Sequence, residues 1–197
     1  MPNLRSSVYG WKSVWMDLAD EAKGEFTENN GVARVRIPMA PWTVTFECSH
    51  SKGKDHSRIL LAYDAKSDFV FDIYNRSWLA DAQKTLGMQD IVVGYDEFDR
   101  DYIIKGSDIN KVKQLFSFEN IREMIQLQKA VRLGVRKDAA AKAFGKVPSG
   151  VHVLVFEEEE AINSFDRLVS LLELFRAVMT QLTELKVAGV SEPEFDF

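Results

Sequence analysis

Three groups of residues carry side chains that could do chemistry. The first is Cys48, His50 and His56, spaced C-x-H-x5-H, with Asp55 beside the second histidine. Thiolate, imidazole and carboxylate are the ligand types that zinc prefers, and a loop folding back on itself brings such residues together. The spacing matches no recognised zinc motif. The plainer reading is a buried cysteine and two solvated loop histidines. The second group is Asp96, Glu97, Asp99 and Asp101 around Phe98. Paired carboxylates act as acid and base or hold a divalent cation. This run lacks the glycine and closing glutamate of an EF-hand loop. A competing reading is a turn whose acids cap backbone amides while Phe98 packs inward. The third is His152, between Val151 and Val153. A general base there needs a cleft and a partner, and a lone strand histidine reads more simply as a surface or satisfied core residue.

Other catalytic motifs are missing from the sequence. It holds no G-x-S-x-G elbow, no Walker A loop and no G-x-G-x-x-G. No cofactor is implied. A metal-assisted hydrolase would have to draw on Asp96, Asp99 and one of His50, His56 or His152. A different expectation comes from the aromatic residues. Trp42, Phe46, Phe69, Phe71 and Trp78 are of the type that lines a small-molecule pocket.

The elements that must position these residues are read from periodicity. Val14, Trp15, Leu18, Ala19 and Ala22 fall at helical spacing, and Gly24 with the 27–31 stretch stops that helix. Val32–Ile37 reads as a strand broken by Pro38 and Pro41. Trp42–Cys48 alternates cleanly, with Trp42, Val44, Phe46 and Cys48 on one side. His50–Ser57 reads as a hairpin loop, and Arg58–Asp64 and Asp68–Tyr74 as two further strands. Four consecutive strands favour an antiparallel meander. Trp78–Leu86 is expected as a short helix and Asp90–Val93 as a strand. Asp101–Lys105 is another strand. Asp108 should cap a helix through Leu115, and Ser117 a second one to about Lys129. Val131–Arg136 and Val151–Phe156 complete the strands.

The last element has the strongest signal. Between Ile162 and Leu185, Phe165, Leu168, Leu172, Phe175, Met179 and Leu182 form one stripe, and Leu171, Leu174, Val178 and Leu185 a second. At ~100° per residue the combined arc covers roughly 220° of the helix. Such a helix must be covered on two sides. Either Leu171, Leu174, Val178 and Leu185 form a homodimer seam, or another helix of the same chain covers them.

The chain has 197 residues, 46% apolar and 28% charged. These values suit one domain with a sizeable core. Lys+Arg is 25 and Asp+Glu 30, so the net charge is 25 − 30 = −5. That balance argues against nucleic acid or an anionic membrane as a partner. One cysteine, no signal-peptide pattern and no long apolar run make cytoplasmic the expected compartment. The expected architecture is a single α+β domain over 1–186, an antiparallel sheet packed by helices, followed by a mobile acidic tail, 187–197. Strands followed by a helix recur over 32–86 and 90–186, which suggests a degenerate internal duplication. The terminal Glu194-Phe195-Asp196-Phe197 is either unstructured or able to dock in a basic, apolar pocket.

Two stretches resemble a set of uncharacterised bacterial proteins, a domain of unknown function. Trp15, Leu18, Ala19, Gly24 and Phe26 match its W-x-x-L-A…G-x-F start. The run from Ile91 to Gly106 is similar to its G-D-x-x-F-D-x-x-F-x-[IV]-K-G segment. The chain departs at Tyr95, which stands between Gly94 and Asp96, and at Tyr102. The resemblance spans about residues 10–130. It implies a bacterial origin and an α+β fold, and no catalytic residues.

The functional expectation is a non-enzymatic cytoplasmic binding or scaffolding protein that self-associates or takes a protein or small-molecule ligand. The alternatives are a small-molecule binder with an aromatic-lined pocket and the metal-assisted hydrolase.

Overall fold

The computed structural model describes residues 10–76, 89–137, 141, 144–195 and 197. Helix α1 (Trp11–Ala22) buries Val14, Trp15, Leu18 and Ala19 on one face. It ends at Lys23 in the left-handed region (φ 54°). Gly24 follows because the chain passes so close to β2 that a Cβ would lie 2.5 Å from the Arg36 carbonyl oxygen. Strands β1 (Glu25–Asn29), β2 (Val32–Met39), β3 (Trp42–Ser51) and β4 (Lys54–Asp64) then form an antiparallel meander. Asn30-Gly31 and Lys52-Gly53 make two of its turns, with positive φ at both residues of each. That geometry matches the twist of the flanking strands.

The fifth strand leaves the meander. β5 (Phe71–Asn75) pairs with β7 (Tyr102–Gly106) and β8 (Arg132–Arg136), not with β4. β6 (Gln89–Asp90) and β9 (Val151–Glu158) complete a sheet ordered β1-β2-β3-β4-β9-β8-β5-β7-β6 among the described residues. Every pairing is antiparallel. The halves on either side of the β4–β9 pair differ in connectivity, since β5 is inserted between β8 and β7. A repeated unit is therefore not visible in the strand order.

The remaining helices are α2 (Asp96–Asp101), α3 (Ile109–Leu115), α4 (Glu119–Gln126) and α5 (Phe165–Glu184). Asp108 caps α3, its carboxylate accepting from the amides of Asn110 and Lys111. Ser117 does not cap α4. The N-cap is Phe118, and the Ser117 hydroxyl donates to the Gln114 carbonyl at 2.7 Å. α5 is capped by Ser164. It packs on the sheet with α1, α3 and α4 against it, which covers both of its apolar stripes. Trp15 links the layers, its indole Nε1 donating to the Ile162 carbonyl at 2.9 Å. Burying each large apolar side chain contributes about 1.5–3 kcal/mol.

The fold is thus α+β, an antiparallel sheet with a long C-terminal helix. β1 goes beyond expectation. It is an edge strand with little burial, so Glu25–Asn29 shows no apolar alternation. Pro38 lies inside β2, opposite Thr43, and does not end it. The expected loop His50–Ser57 shrinks to a two-residue turn, which places His50 and His56 on strands. The helix expected at Trp78–Leu86 lies outside the described residues. Among the described residues no helix is long and apolar enough to cross a membrane.

Candidate functional site

Strand parity decides the fate of the first group. Cys48 and His50 point to the helix-covered face, while His56, next to Ser57 on β4, points to the other. Cys48 is buried in the core, and the His50 Nδ1 contacts Asp55 Oδ1 at 2.8 Å. The sheet itself therefore separates His56 from the other two. Burial, with Asp55 and Glu47 nearby, pushes the Cys48 thiol up to about 11, so it is protonated at neutral pH. No group of three His, Cys, Asp or Glu among the described residues could hold a metal ion.

Within the acidic run, Asp99 has a defined task. Its Oδ1 accepts from the Val93 amide at 2.9 Å, and its Oδ2 from the Gly94 and Tyr95 amides at 2.8 and 2.9 Å. The carboxylate thus closes the loop before α2. Gly94 makes the turn with φ 96°. Phe98 is buried, its ring 4.8 Å from Tyr102 and 5.8 Å from Phe116. The Arg122 guanidinium lies 3.4 Å from the Tyr95 ring centroid, a cation–π contact that pins the same loop. Asp96, Glu97 and Asp101 remain exposed. His152 is buried on the helix-covered face, edge-on to Tyr63 at 5.9 Å.

Of the aromatic residues, Trp42, Phe46, Phe69 and Phe71 are buried in the core. Phe46 packs edge-on against Trp15 and Phe71 edge-on against Phe116, while Phe69 and Phe71 meet at a tilt. They fill space rather than line it. Trp78 lies outside the described residues. Leu171, Leu174 and Val178 are 0% exposed, and Leu185 is half-buried. The first three belong to the chain's own core, so a dimer seam through them would require α5 to leave it.

The feature that sequence reading missed is on the outer face of the sheet, opposite helices α1 to α5. In register across five strands stand Arg34, Glu47, Arg58, Glu157 and Arg132. Their signs alternate. The Glu47 carboxylate is nearly buried and bridges two guanidiniums, accepting from Arg34 Nε at 2.9 Å and from Arg58 Nη2. Arg132 Nε lies 3.7 Å from Glu157 Oε2. Arg58 Nε is buried with no hydrogen-bond partner among the described residues. A concavity of about 420 Å³ opens over Arg58, walled by Ser49, His56, Arg132, Glu157 and Glu159. Lys54 pairs with Glu159 at 3.1 Å and pulls its carboxyl below the usual range. A second row carries Asp72, bonded to Arg136 at 2.9 Å, both nearly buried. The available sequence signal was outward parity: Arg34, Thr45, Glu47, Arg58, Arg132 and Glu157 all occupy the polar phase of their strands. Which strands are neighbours was not readable.

These observations define a class of protein: an antiparallel sheet with helices on one face and a charged, paired ladder on the other. No protein-family model matches the chain, and no curated protein matches it in sequence. Among solved structures, the crystal structure of the mycobacterial trehalose monomycolate transport factor A, TtfA, is similar with a TM-score of 0.59. The identity is 7%, and the match covers 91% of this chain and 98% of that one. At that identity the likeness shows the fold alone.

Proposed function

We propose that this chain is a non-enzymatic binding or scaffolding protein of the cytoplasm that presents the outer face of its sheet to a protein partner or to a second copy. The ladder carries this reading. A sheet face with charges already paired in register offers both signs at fixed spacing, which favours specificity and orientation over raw affinity. The exposed pairs of the ladder contribute little to stability alone, so they can be given over to a partner. Asp99 is engaged by backbone amides and the Cys48 thiol is protonated, which supports binding over catalysis. That a protein of similar fold is a transport factor supports the same choice.

The test is cross-linking mass spectrometry in the native host, paired with an Arg132→Glu variant. Arg132 is 42% exposed in its side chain, so its reversal should leave folding intact. Partner cross-links are expected on β2, β3, β4 and β8, and the variant should lose them. Cross-links confined to α4 and α5, or unchanged by Arg132→Glu, overturn the reading.

A further inference from the structure

The outer face is not charged throughout. Beside the ladder, Leu60, Ala62, Val151, Val153 and Val155 form an apolar cluster separate from the main core. Its cover comes from Ala141, Phe144 and Val147, and from Phe195 and Phe197 at the far end of the sequence.

Those last residues are held in an unusual way. As far as Ser191 the chain is anchored through hydrogen bonds. Ala188 bridges to Ala65, the Gly189 amide donates to the Asp64 carbonyl at 2.7 Å, and the Ser191 hydroxyl donates to Asp64 Oδ2 at 2.8 Å. Beyond that point the backbone hydrogen bond among the described residues is internal, from the Phe195 amide to the Pro193 carbonyl at 2.7 Å. Side chains supply the grip. The Phe195 and Phe197 rings stack edge to face, 5.1 Å apart at 85°. Phe195 packs beside Gly145, at a distance where a Cβ would make ordinary van der Waals contact with its ring. Glu192 and Glu194 share an open depression of about 500 Å³ with Arg36 and Thr43. An apolar floor therefore meets the two rings, and an arginine stands beside the two acids.

We infer that this slot is a recognition site for a short linear peptide of a partner protein, with two aromatic residues one position apart and acids beside them, and that Phe195 and Phe197 occupy it in cis as a displaceable stand-in. This rests on the outer face being the binding face and names the chemistry of what it binds. Phe195 and Phe197, two positions apart, pack on each other and on the one apolar floor, so a peptide with the same spacing can present the same paired rings. The arginine selects acids over bases. The described residues beyond Ser191 are not laddered to the sheet, so they exchange without breaking strand hydrogen bonds. The tethered copy also competes with any peptide in trans, because a short linker gives it a high effective concentration.

The experiment is a fluorescence-anisotropy titration with a labelled heptapeptide carrying the sequence of residues 191–197. The double variant Phe195→Ala/Phe197→Ala empties the slot and should bind the peptide at least tenfold more tightly than the wild type. Adding Arg36→Glu should weaken that binding several-fold, and a peptide with both phenylalanines replaced by alanine should not bind. Equal affinity for wild type and double variant, or no binding to a double variant that still melts cooperatively, overturns the inference. An NMR titration of the wild type with millimolar unlabelled peptide needs no substitution. The Phe195 and Phe197 ring signals should move towards free values, and signals that stay put also overturn it. Failure here with the Arg132→Glu effect intact removes the peptide slot and leaves the ladder reading standing; loss of the Arg132→Glu effect alone does the reverse.

Discussion

Gly134 and Asp72 face each other across β8 and β5 so closely that a methyl group on Gly134 would stand 2.7 Å from Asp72 Oδ1. It would also lie 2.5 Å from the Phe71 carbonyl oxygen and 2.6 Å from Arg136 Nη1. Three polar groups close on one hydrogen. The Asp72–Arg136 pair needs that gap, because the guanidinium crosses it to reach the carboxylate.

Gly134→Ala should therefore lose about 1–3 kcal/mol, the usual cost of overpacking. Urea denaturation checks it: the midpoint falls while the slope stays constant. An unchanged midpoint would mean that β8 can shift without breaking the pair.

Glu158 titrates in the direction set by burial. One oxygen meets the Arg167 guanidinium, and Oε1 is buried without a hydrogen-bond partner among the described residues. Burial raises its carboxyl above the usual range, with Glu160 adding to it and Arg167 opposing. A raised folded value means that the native state binds the proton first. Its contribution is full below the unfolded value of about 4 and is lost as pH rises through the folded value. The stability of wild type relative to Glu158→Gln should thus improve as pH falls from 7 towards about 4. Melting temperatures of both proteins across that range test it. A wild-type advantage that shrinks on acidification would show that the Arg167 attraction outweighs burial.

Cys48 should be inert. With its thiol at about 11 and its side chain in the core, native protein at pH 8 should react with a disulfide reagent at least ~100-fold more slowly than the urea-unfolded chain. Zinc should not alter either rate. Fast native labelling would place the thiol in an open site and revive the ligand reading.

Asp99→Ala removes the acceptor of three backbone amides at once. Bonds to a charged group are worth about 1.5–3 kcal/mol each at most, and the amides beside an exposed turn recover water, so a total loss of about 2–3 kcal/mol is expected. Asp99→Asn, which keeps one acceptor oxygen, should lose less. Binding through the outer face should survive both, since the loop sits at the far edge of the sheet beside β7. Thermal melts and the cross-linking pattern together separate a structural role from a functional one.

How much of this was legible depended on the range of the physics involved. The Asp108 cap, the extent of α1 and the two stripes of α5 were readable because capping and helical periodicity act within a few residues. That an acid of the 96–101 run caps backbone amides and that Phe98 packs inward was readable for the same reason, as one of two options, although the segment is the helix α2 and not a turn. Alternation also separated Cys48 from the polar phase of β3. It could not say that His56 lies beyond the sheet, because the polar run His50–Ser57 does not itself show that the turn is only Lys52-Gly53.

The sequence by itself determined which side chains face in and which face out on α1, α5 and the alternating strands β2 and β3, since burial of one phase follows there from local periodicity; β9, buried on both faces, carries no such signal. Only the tertiary structure decided who stands beside whom. Ser57 donates to Glu160 across 103 positions, and Arg58 meets Glu157 only because β9 inserts beside β4. Backbone hydrogen bonds are alike for any pair of strands, so they carry no address. The order of the sheet, and with it the ladder and the slot, is chosen by packing of the whole core at once.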